Sequence, residues 1–423
     1  MQQQAKQKIR VCSPKDEKKM RLVFVNNYFY LRGGSERVFL DEMEMLQING
    51  HAVAPFTRHF PKNDPSDYSR FFGAFLEYEN VGFKKKITAA TAMVYSLECR
   101  SKFSELLEHF KPDLIHAHNI YGQISTSVLD VAKARKIPVV LTLHDYKLIC
   151  PSYLLLAHGN VCQKCKGRRF YHCLSTRCHR GELTASLVYT FESYFNKLFK
   201  KYDSIRYIIC PSRFLLDRHR DAGIPESRLV HLPNFIKVRD FEPDHSPGQY
   251  VLFVGRLSRE KGVLTLLEAV KDLDVPVRIV GGGPMKDMYE DFAKQNGIHN
   301  VTFEGYQSGE ALRDLYRNAA FLVFPSEWFE NAPMTILEAF AYGKSVIGSA
   351  MGGIPEMVVE GETGILFRPG DHLELRDKIQ SLLADSSAAI RMGKLARSRV
   401  EREYEAGTHY ERLVRLYETT MNP

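Results

Sequence analysis

FLVFPSEWFENAPMTILEAFAYGK (Phe321–Lys344) changes its period halfway along. FLVF, a short unbroken apolar run, reads as a buried strand. After Pro333, Ile336, Leu337 and Phe340 recur at helical spacing, and Gly343 stands where such a helix stops. Asn331 suits the N-cap, and Pro333 suits the first turn because its missing N–H would find no intrahelical partner there anyway. Two glutamates are thereby set apart. Glu330 lies in the loop at the strand's carboxyl end, and Glu338 lies five residues past Pro333, roughly 7.5 Å along the axis at about 1.5 Å per residue. Carboxylates so placed suit two hydroxyl-bearing parts of one extended ligand; a surface glutamate and a solvated helix glutamate are the plain alternative.

Outward from this strand–loop–helix unit the same alternation repeats. RLVFVNNY, HAVAPFT, DLIHAHN, PVVLTLHDY, IRYIICPS and RLVHLPN read as strands. SERVFLDEMEMLQING, one long segment from about Ile87 to Phe110, SVLDVAKARK and FLLDRHRDAG read as the helices between them. A proline- and charge-rich break, IKVRDFEPDHSPGQ (236–249), interrupts the pattern, which restarts with YVLFVGRL, VPVRIVGGG, NVTFEGY, AAFLVFPS and KSVIGSA. Such alternation gives parallel sheets with helices on both faces. The expected organisation is a disordered leader over 1–20 and an N-terminal Rossmann-like domain over 21–235, with a cysteine-rich loop at 150–180. A linker over 236–249, a C-terminal domain over 250–400 and a helix in 401–423 packing back toward the N-terminal domain complete it. The fold class is α/β: two doubly wound domains facing a cleft.

A chain of 423 residues exceeds one ordinary core, and 44% hydrophobic with 26% charged residues fits a soluble globular protein. No apolar run approaches the roughly 18–20 residues of a membrane helix, and the N-terminus lacks the apolar core of a secretory signal. The cytoplasm is the expected location. The net charge of +8 is uneven: residues 147–201 hold 10 basic and 2 acidic side chains. A solvated face is the plain reading, and an anionic partner the sharper one. Nucleic acid is disfavoured, because no recognition motif accompanies the charge. Within the same region, LTASLVYTFESYFNKLFKKYD (183–203) spaces Leu187, Phe191, Tyr194, Phe195, Leu198 and Phe199 helically beside Lys197, Lys200 and Lys201. The stripe is either core or a helix touching an anionic membrane.

In open parallel sheets ligands bind beyond the carboxyl ends of the strands. Gly33-Gly34 precede a helix start, where backbone amides can approach a phosphate. Arg256 and Lys261 follow the first strand of the second domain, suited to neutralising a diphosphate or merely solvated. Gly281 to Gly283 permit close chain passage but form no dinucleotide fingerprint. Cys162, Cys165, Cys173 and Cys178 read C-x2-C-x7-C-x4-C, a spacing that suits one structural zinc; free thiols are the main alternative, and a cytoplasmic setting disfavours disulfides.

GRLSREKG, IVGGGP, FPSEWFENAPMTILEAFAYGKSVIGSAMGGIPEMV and TGILF occur in that order, with HAHNIYG and VVLTLHDYKLICP upstream. Together they resemble the retaining glycosyltransferases of family 4, with the two-domain GT-B fold, from about Arg21 onward. The resemblance implies transfer of a sugar from a nucleotide-diphosphate donor to a glycan or lipid-linked acceptor, in surface polysaccharide or glycolipid assembly. By the same resemblance, Arg256 and Lys261 would bind the diphosphate, with amides at Gly33 and Gly34 in support. Glu330 would hold donor-sugar hydroxyls, aided by the helix start at Asn331, Ala332, Pro333 and Met334, where the N–H groups of all but Pro333 can donate, and Glu338 would hold the ribose. His144 would lie near the transferring sugar, and His118 and Asn119 on the acceptor side. No catalytic metal or cofactor is expected. A nucleotide-sugar epimerase of the same fold and a non-catalytic sugar-binding protein are the rival readings.

Overall fold

The computed structural model describes residues 19–76 and 82–422. The expected leader therefore falls outside the described residues except for its last two, of which Met20 is buried. The N-terminal half contains β1 (Arg21–Val25), α1 (Gly34–Ile48), β2 (Ala52–Phe56), α2 (Phe83–Val94), α3 (Leu97–Phe110), β3 (Leu114–Ala117), α4 (Ser127–Ala134) and β4 (Val139–Thr142). A hairpin, β5 (Leu156–Ala157) and β6 (Asn160–Val161), then α5 (Tyr171–Thr176) and α6 (Leu183–Leu198), lead into β7 (Tyr207–Cys210), α7 (Arg213–Asp221) and β8 (Leu229–His231). The second half runs β9 (Tyr250–Val254), α8 (Val263–Val270), β10 (Val277–Val280), α9 (Lys286–Gln295), β11 (Val301–Gly305), α10 (Gly309–Arg317) and β12 (Ala319–Phe324). It ends with α11 (Met334–Ala341), β13 (Val346–Ser349), α12 (Ile354–Met357), β14 (Gly364–Phe367), α13 (His372–Ala384), α14 (Ser386–Glu403) and α15 (Ala406–Met421).

All strand pairs in the two six-stranded sheets are parallel. The orders are β2-β1-β3-β4-β7-β8 and β11-β10-β9-β12-β13-β14. Strand order reverses between β1 and β3 in the first sheet and between β9 and β12 in the second, and each reversal opens a crevice at the strands' carboxyl ends. Helices cover both faces, so β3, β4 and β13 are buried along their whole length and their sequences are runs without polar–apolar alternation.

The structure departs from the sequence-based elements at three places. The segment from Ile87 to Phe110 is two helices, because Ser96 caps α3 by accepting the Cys99 N–H at 3.1 Å. β14 completes the second sheet from TGILF, too short a run to stand out as a strand. In the opening stretch the helix begins at Met334 with Pro333 as its cap, so Asn331 is not the N-cap.

The break at 236–249 is packed rather than loose: Ile236, Val238 and Phe241 are buried. Ile236 bridges to Glu405, so the two passages between the halves lie side by side. Beyond that second passage α15 lies against α1 and β4, in the N-terminal half.

Candidate active site

The two crevices face each other. A Cβ added at Gly34, the first residue of α1, would lie 3.5 Å from Cγ of Met334, the first residue of α11. Asn331 bridges the halves instead of capping a helix: its amide donates to the Leu143 carbonyl at 3.2 Å and its oxygen accepts from Ser212 at 2.8 Å. Tyr146 donates to the Phe329 carbonyl at 2.9 Å, and Asn234 to that of Ala332 at 2.9 Å. Glu356 adds a cap across the interface, accepting the Arg213 and Phe214 N–H groups at the start of α7 at 2.7 and 2.6 Å.

On the C-terminal side Glu330 is 5% exposed and accepts from Lys261 Nζ at 2.5 Å and Ser326 Oγ at 2.9 Å. Its backbone carbonyl accepts the Gly353 N–H at 2.7 Å. That approach requires glycine: a Cβ at Gly353 would fall 1.9 Å from the Asn331 carbonyl oxygen. Arg256 stands exposed in the loop after β9, its guanidinium without an ion pair among the described residues. Glu338, inside α11, accepts from Tyr316 at 2.9 Å and faces Arg37 at 3.5 Å. Burial pushes its carboxyl above the ordinary value, while Arg37 and Tyr316 pull the other way. Gly281 and Gly283 serve chain packing: a Cβ at Gly281 would lie 1.8 Å from the Gly255 carbonyl oxygen.

On the N-terminal side His144 Nε2 lies 2.9 Å from His118 Nδ1. His118 Nε2 lies 3.4 Å from Glu42 of α1, which also meets His116 at 3.5 Å and His409 of α15 at 3.0 Å. Burial pushes the Glu42 carboxyl up, but the surrounding histidines outweigh it and hold the group well below the ordinary carboxylate value. An ionised carboxylate facing His118 Nε2 favours the tautomer with hydrogen there, although at 3.4 Å neither atom completes a hydrogen bond. In that tautomer His118 Nδ1 accepts from His144 Nε2–H, and His144 Nδ1 is left an acceptor without a protein partner among the described residues. Burial and His118 push the His144 pKa down to about 3, so its ring is neutral at ordinary pH.

His118 is 1% exposed and lines one small cavity together with Asn119 and His144. Asn119 is half-buried; its N–H donates to Asn26 at 3.1 Å and its oxygen accepts from Tyr121 at 3.1 Å.

Two family models match consecutive parts of the chain. "Glycosyltransferase Family 4" covers residues 32–240 and "Glycosyl transferases group 1" covers 237–399. The chain belongs to the group 1, family 4 type of glycosyltransferase. O-antigen chain mannosyltransferase C of Escherichia coli is 24% identical over 410 residues, 95% of this chain and 99% of that one. Sucrose-phosphate synthase from Thermosynechococcus elongatus superposes with a TM-score of 0.71 at 21% identity, over 95% of this chain and 99% of that one. HepE of Anabaena, in complex with UDP and glucose, superposes with a TM-score of 0.66 at 15% identity, over 95% and 100%. The shared fold is the GT-B fold.

Several residues of this glycosyltransferase's cleft escaped the sequence reading. Glu42 was legible as an acidic residue on the apolar stripe Val38, Phe39, Met43 and Leu46 of α1, where a charge needs a buried partner. His409 and Tyr417 carried no local signal, since their partners Glu42 and His116 lie over 300 positions upstream.

Five thiols, Cys150, Cys162, Cys165, Cys173 and Cys178, line one small cavity with His172. Cys150 joins the four that the spacing picked out. Among the described residues, however, the candidate ligand atoms lying within 4.8 Å of one another are those of Glu42, His116 and His118. No cysteine trio reaches that spacing, and sulfurs bound tetrahedrally at about 2.3 Å from one zinc would stand closer still. In the Glu42 trio both His116 nitrogens are taken, by Tyr417 at 2.6 Å and Thr142 at 2.8 Å, while Glu42 Oε2 and His118 Nε2 have no hydrogen-bond partner among the described residues.

Proposed function

We propose that the chain transfers a sugar from a nucleoside-diphosphate donor to a glycan or lipid-linked acceptor, with retention, in surface polysaccharide or glycolipid assembly. One observation carries this reading. The Lys261–Glu330 pair sits at the switch-point crevice of the second sheet, opposite Gly33-Gly34 and close to the interface with the segment that bears His144. In the structure the two groups satisfy each other. With a donor bound, Lys261 turns to the diphosphate beside Arg256, and Glu330 is released to accept from sugar hydroxyls. As the bond from the anomeric carbon to the diphosphate breaks, charge grows on the leaving phosphate, where Arg256, Lys261 and the amides at Gly33 and Gly34 stabilise it. The N–H groups of Asn331, Ala332 and Met334 support the sugar, and Glu338 accepts from ribose hydroxyls. His144, an acceptor through Nδ1, takes a hydrogen bond from a hydroxyl of the reacting sugars; Glu42 and His118 are positioning residues that fix that tautomer. HepE's complex with UDP and glucose supports a donor of this class, and the mannosyltransferase relative supports a polysaccharide product.

The reading places the enzyme in the cytoplasm at the inner face of a membrane; among the described residues no helix is long and apolar enough to cross one. A structural zinc in the cysteine loop belongs to the reading only if the loop draws Cys162, Cys165, Cys173 and Cys178 closer together. Elemental analysis of protein purified without added metal decides it: one zinc per chain upholds the staple, and a content near zero in reduced protein removes it.

The test of the whole reading is a panel of nucleotide sugars, scored for binding and for turnover with and without glycan acceptors. Turnover that needs a second substrate is expected. Interconversion of the donor alone would make the protein an epimerase, and tight binding without turnover would make it a sugar-binding protein.

A further inference from the structure

Helix α6 is inside out. The residues it buries are polar, namely Ser186, Thr190, Glu192, Ser193 and Asn196. The residues it turns to solvent are apolar: Leu183, Leu187, Phe191 and Leu198 are 50, 52, 60 and 75% exposed. At 3.6 residues per turn these four lie along one face, and Phe199 just past the helix and Ile87 of the adjoining α2 extend the exposed apolar surface. Most of the stripe is therefore not core: Leu187, Phe191, Leu198 and Phe199 are exposed, while Tyr194 and Phe195 are half-buried, against Phe170 and Tyr95.

On the buried side the ionic and amide groups are paired, while the Thr190 and Ser193 hydroxyls have no hydrogen-bond partner among the described residues. Glu192 pairs with Lys147 at 2.5 Å, with both side chains almost wholly buried. Asn196 donates to Glu192 at 2.6 Å and accepts from Thr126 at 2.7 Å. Lys147 also lies over the Tyr189 ring. These bonds fasten the helix to the segment bearing His144, three residues before Lys147. An inverted helix so firmly held presents its apolar face permanently, and a stripe of this size calls for a cover.

The charge around it says which cover fits. Lys197 and Lys200 flank the stripe, and Lys164, Lys166, Arg169 and Arg177 of the neighbouring cysteine loop are exposed. Glu182 is the exposed acid in the same stretch, since Glu192 is buried. An apolar ridge with a basic border matches an anionic lipid surface, where the side chains enter the acyl boundary and the cations meet headgroups. We infer that α6 is a membrane-docking helix that seats the N-terminal half on anionic lipid. The acceptor side of the cleft is thereby held at a fixed place relative to the bilayer. This deepens the proposed lipid-linked acceptor, but the docking is read without sugar transfer, so either can fail alone.

The test is co-sedimentation of the full chain with phosphatidylcholine vesicles, with and without phosphatidylglycerol. Binding is expected to the anionic vesicles at low salt, with little to the neutral ones, and release is expected at high salt as charges are screened. Lys197→Glu with Lys200→Glu should lower binding by about tenfold or more. Leu187→Ser with Phe191→Ser should lower it by about tenfold. Lys201 is left unchanged because it pairs with Asp130 at 2.5 Å, so its reversal would test the fold instead. Both variants should melt at the parent temperature, since the altered side chains are exposed. The inference is overturned by absence of binding to anionic vesicles at low salt, or by binding that ignores both pairs of substitutions. It is equally overturned if the parent proves to be a dimer in solution that Phe191→Ser dissociates.

Discussion

Glu330 touches a cation and a hydroxyl of its own protein before it meets any substrate, so its replacement has two separable effects. Glu330→Gln removes the charge that holds Lys261 and weakens the grip on sugar hydroxyls. A hydrogen bond to a charged group contributes about 1.5–3 kcal/mol, which corresponds to a roughly ten- to hundredfold fall in turnover efficiency. Nucleoside diphosphate, which carries no sugar, should bind as well as before, because Lys261 is then free of its competitor. Titration calorimetry with the two ligands checks this, and equal weakening of both would refute the sugar role. Glu42→Gln acts one step further back. Its amide no longer dictates which nitrogen of His118 bears hydrogen, so kcat should fall while the donor KM holds. In a His144→Ala background the same substitution should change kcat no further; additive losses would mean that Glu42 merely supports the fold. The two cleft glutamates were legible because strand, proline and helix fix their separation locally. Asn331 was not, because its partners Leu143 and Ser212 belong to the other half, and a local capping rule cannot see them.

At the level of elements, the junction of α2 and α3 shows what one side chain decides. Ser96 is buried, accepts the Cys99 N–H at 3.1 Å and accepts from Arg58 at 3.0 Å. Hydrophobic spacing runs through this point without a break, which is why periodicity alone joins the two helices. Ser96→Ala should cost about 1 kcal/mol for the lost cap, and more because the buried Arg58 loses an acceptor. Urea unfolding measures it, and a midpoint equal to the parent's would show that the cap is dispensable. The sequence left the α6 stripe open between core and membrane face for a related reason. Spacing reveals that a helix has an apolar face, but only the buried Lys147–Glu192 pair reveals that this face points outward.

For the whole molecule, the doubly wound plan was legible from unbroken apolar strands, each followed by a helix, whereas the closure of one half on the other was not. Folding also buries several histidines. Burial pushes His144 down to about 3, and His179, His219 and His231 to about 4, with His116 also well below its ordinary value of 6.5. The unfolded chain accepts protons on these rings below about 6.5, and the folded chain resists until about 4. Stability is therefore full above that upper value and drains away as pH falls through the window. The Tm should decline steadily from about pH 7 to about pH 5, and a flat Tm over that range would show that the rings are not held neutral.

The adjacency of Ile236 and Glu405 bears on how such enzymes can be recombined. A hybrid spliced only at the linker would give the N-terminal half a foreign α15, with no assurance of His409 for Glu42 or Tyr410 for His51. The N-terminal module is discontinuous: it comprises residues 21–235 together with the segment from Tyr404 onward. The C-terminal module is an insert between them. Its exchange for another requires two junctions placed side by side at that crossing, as when one domain is threaded into a surface loop of another.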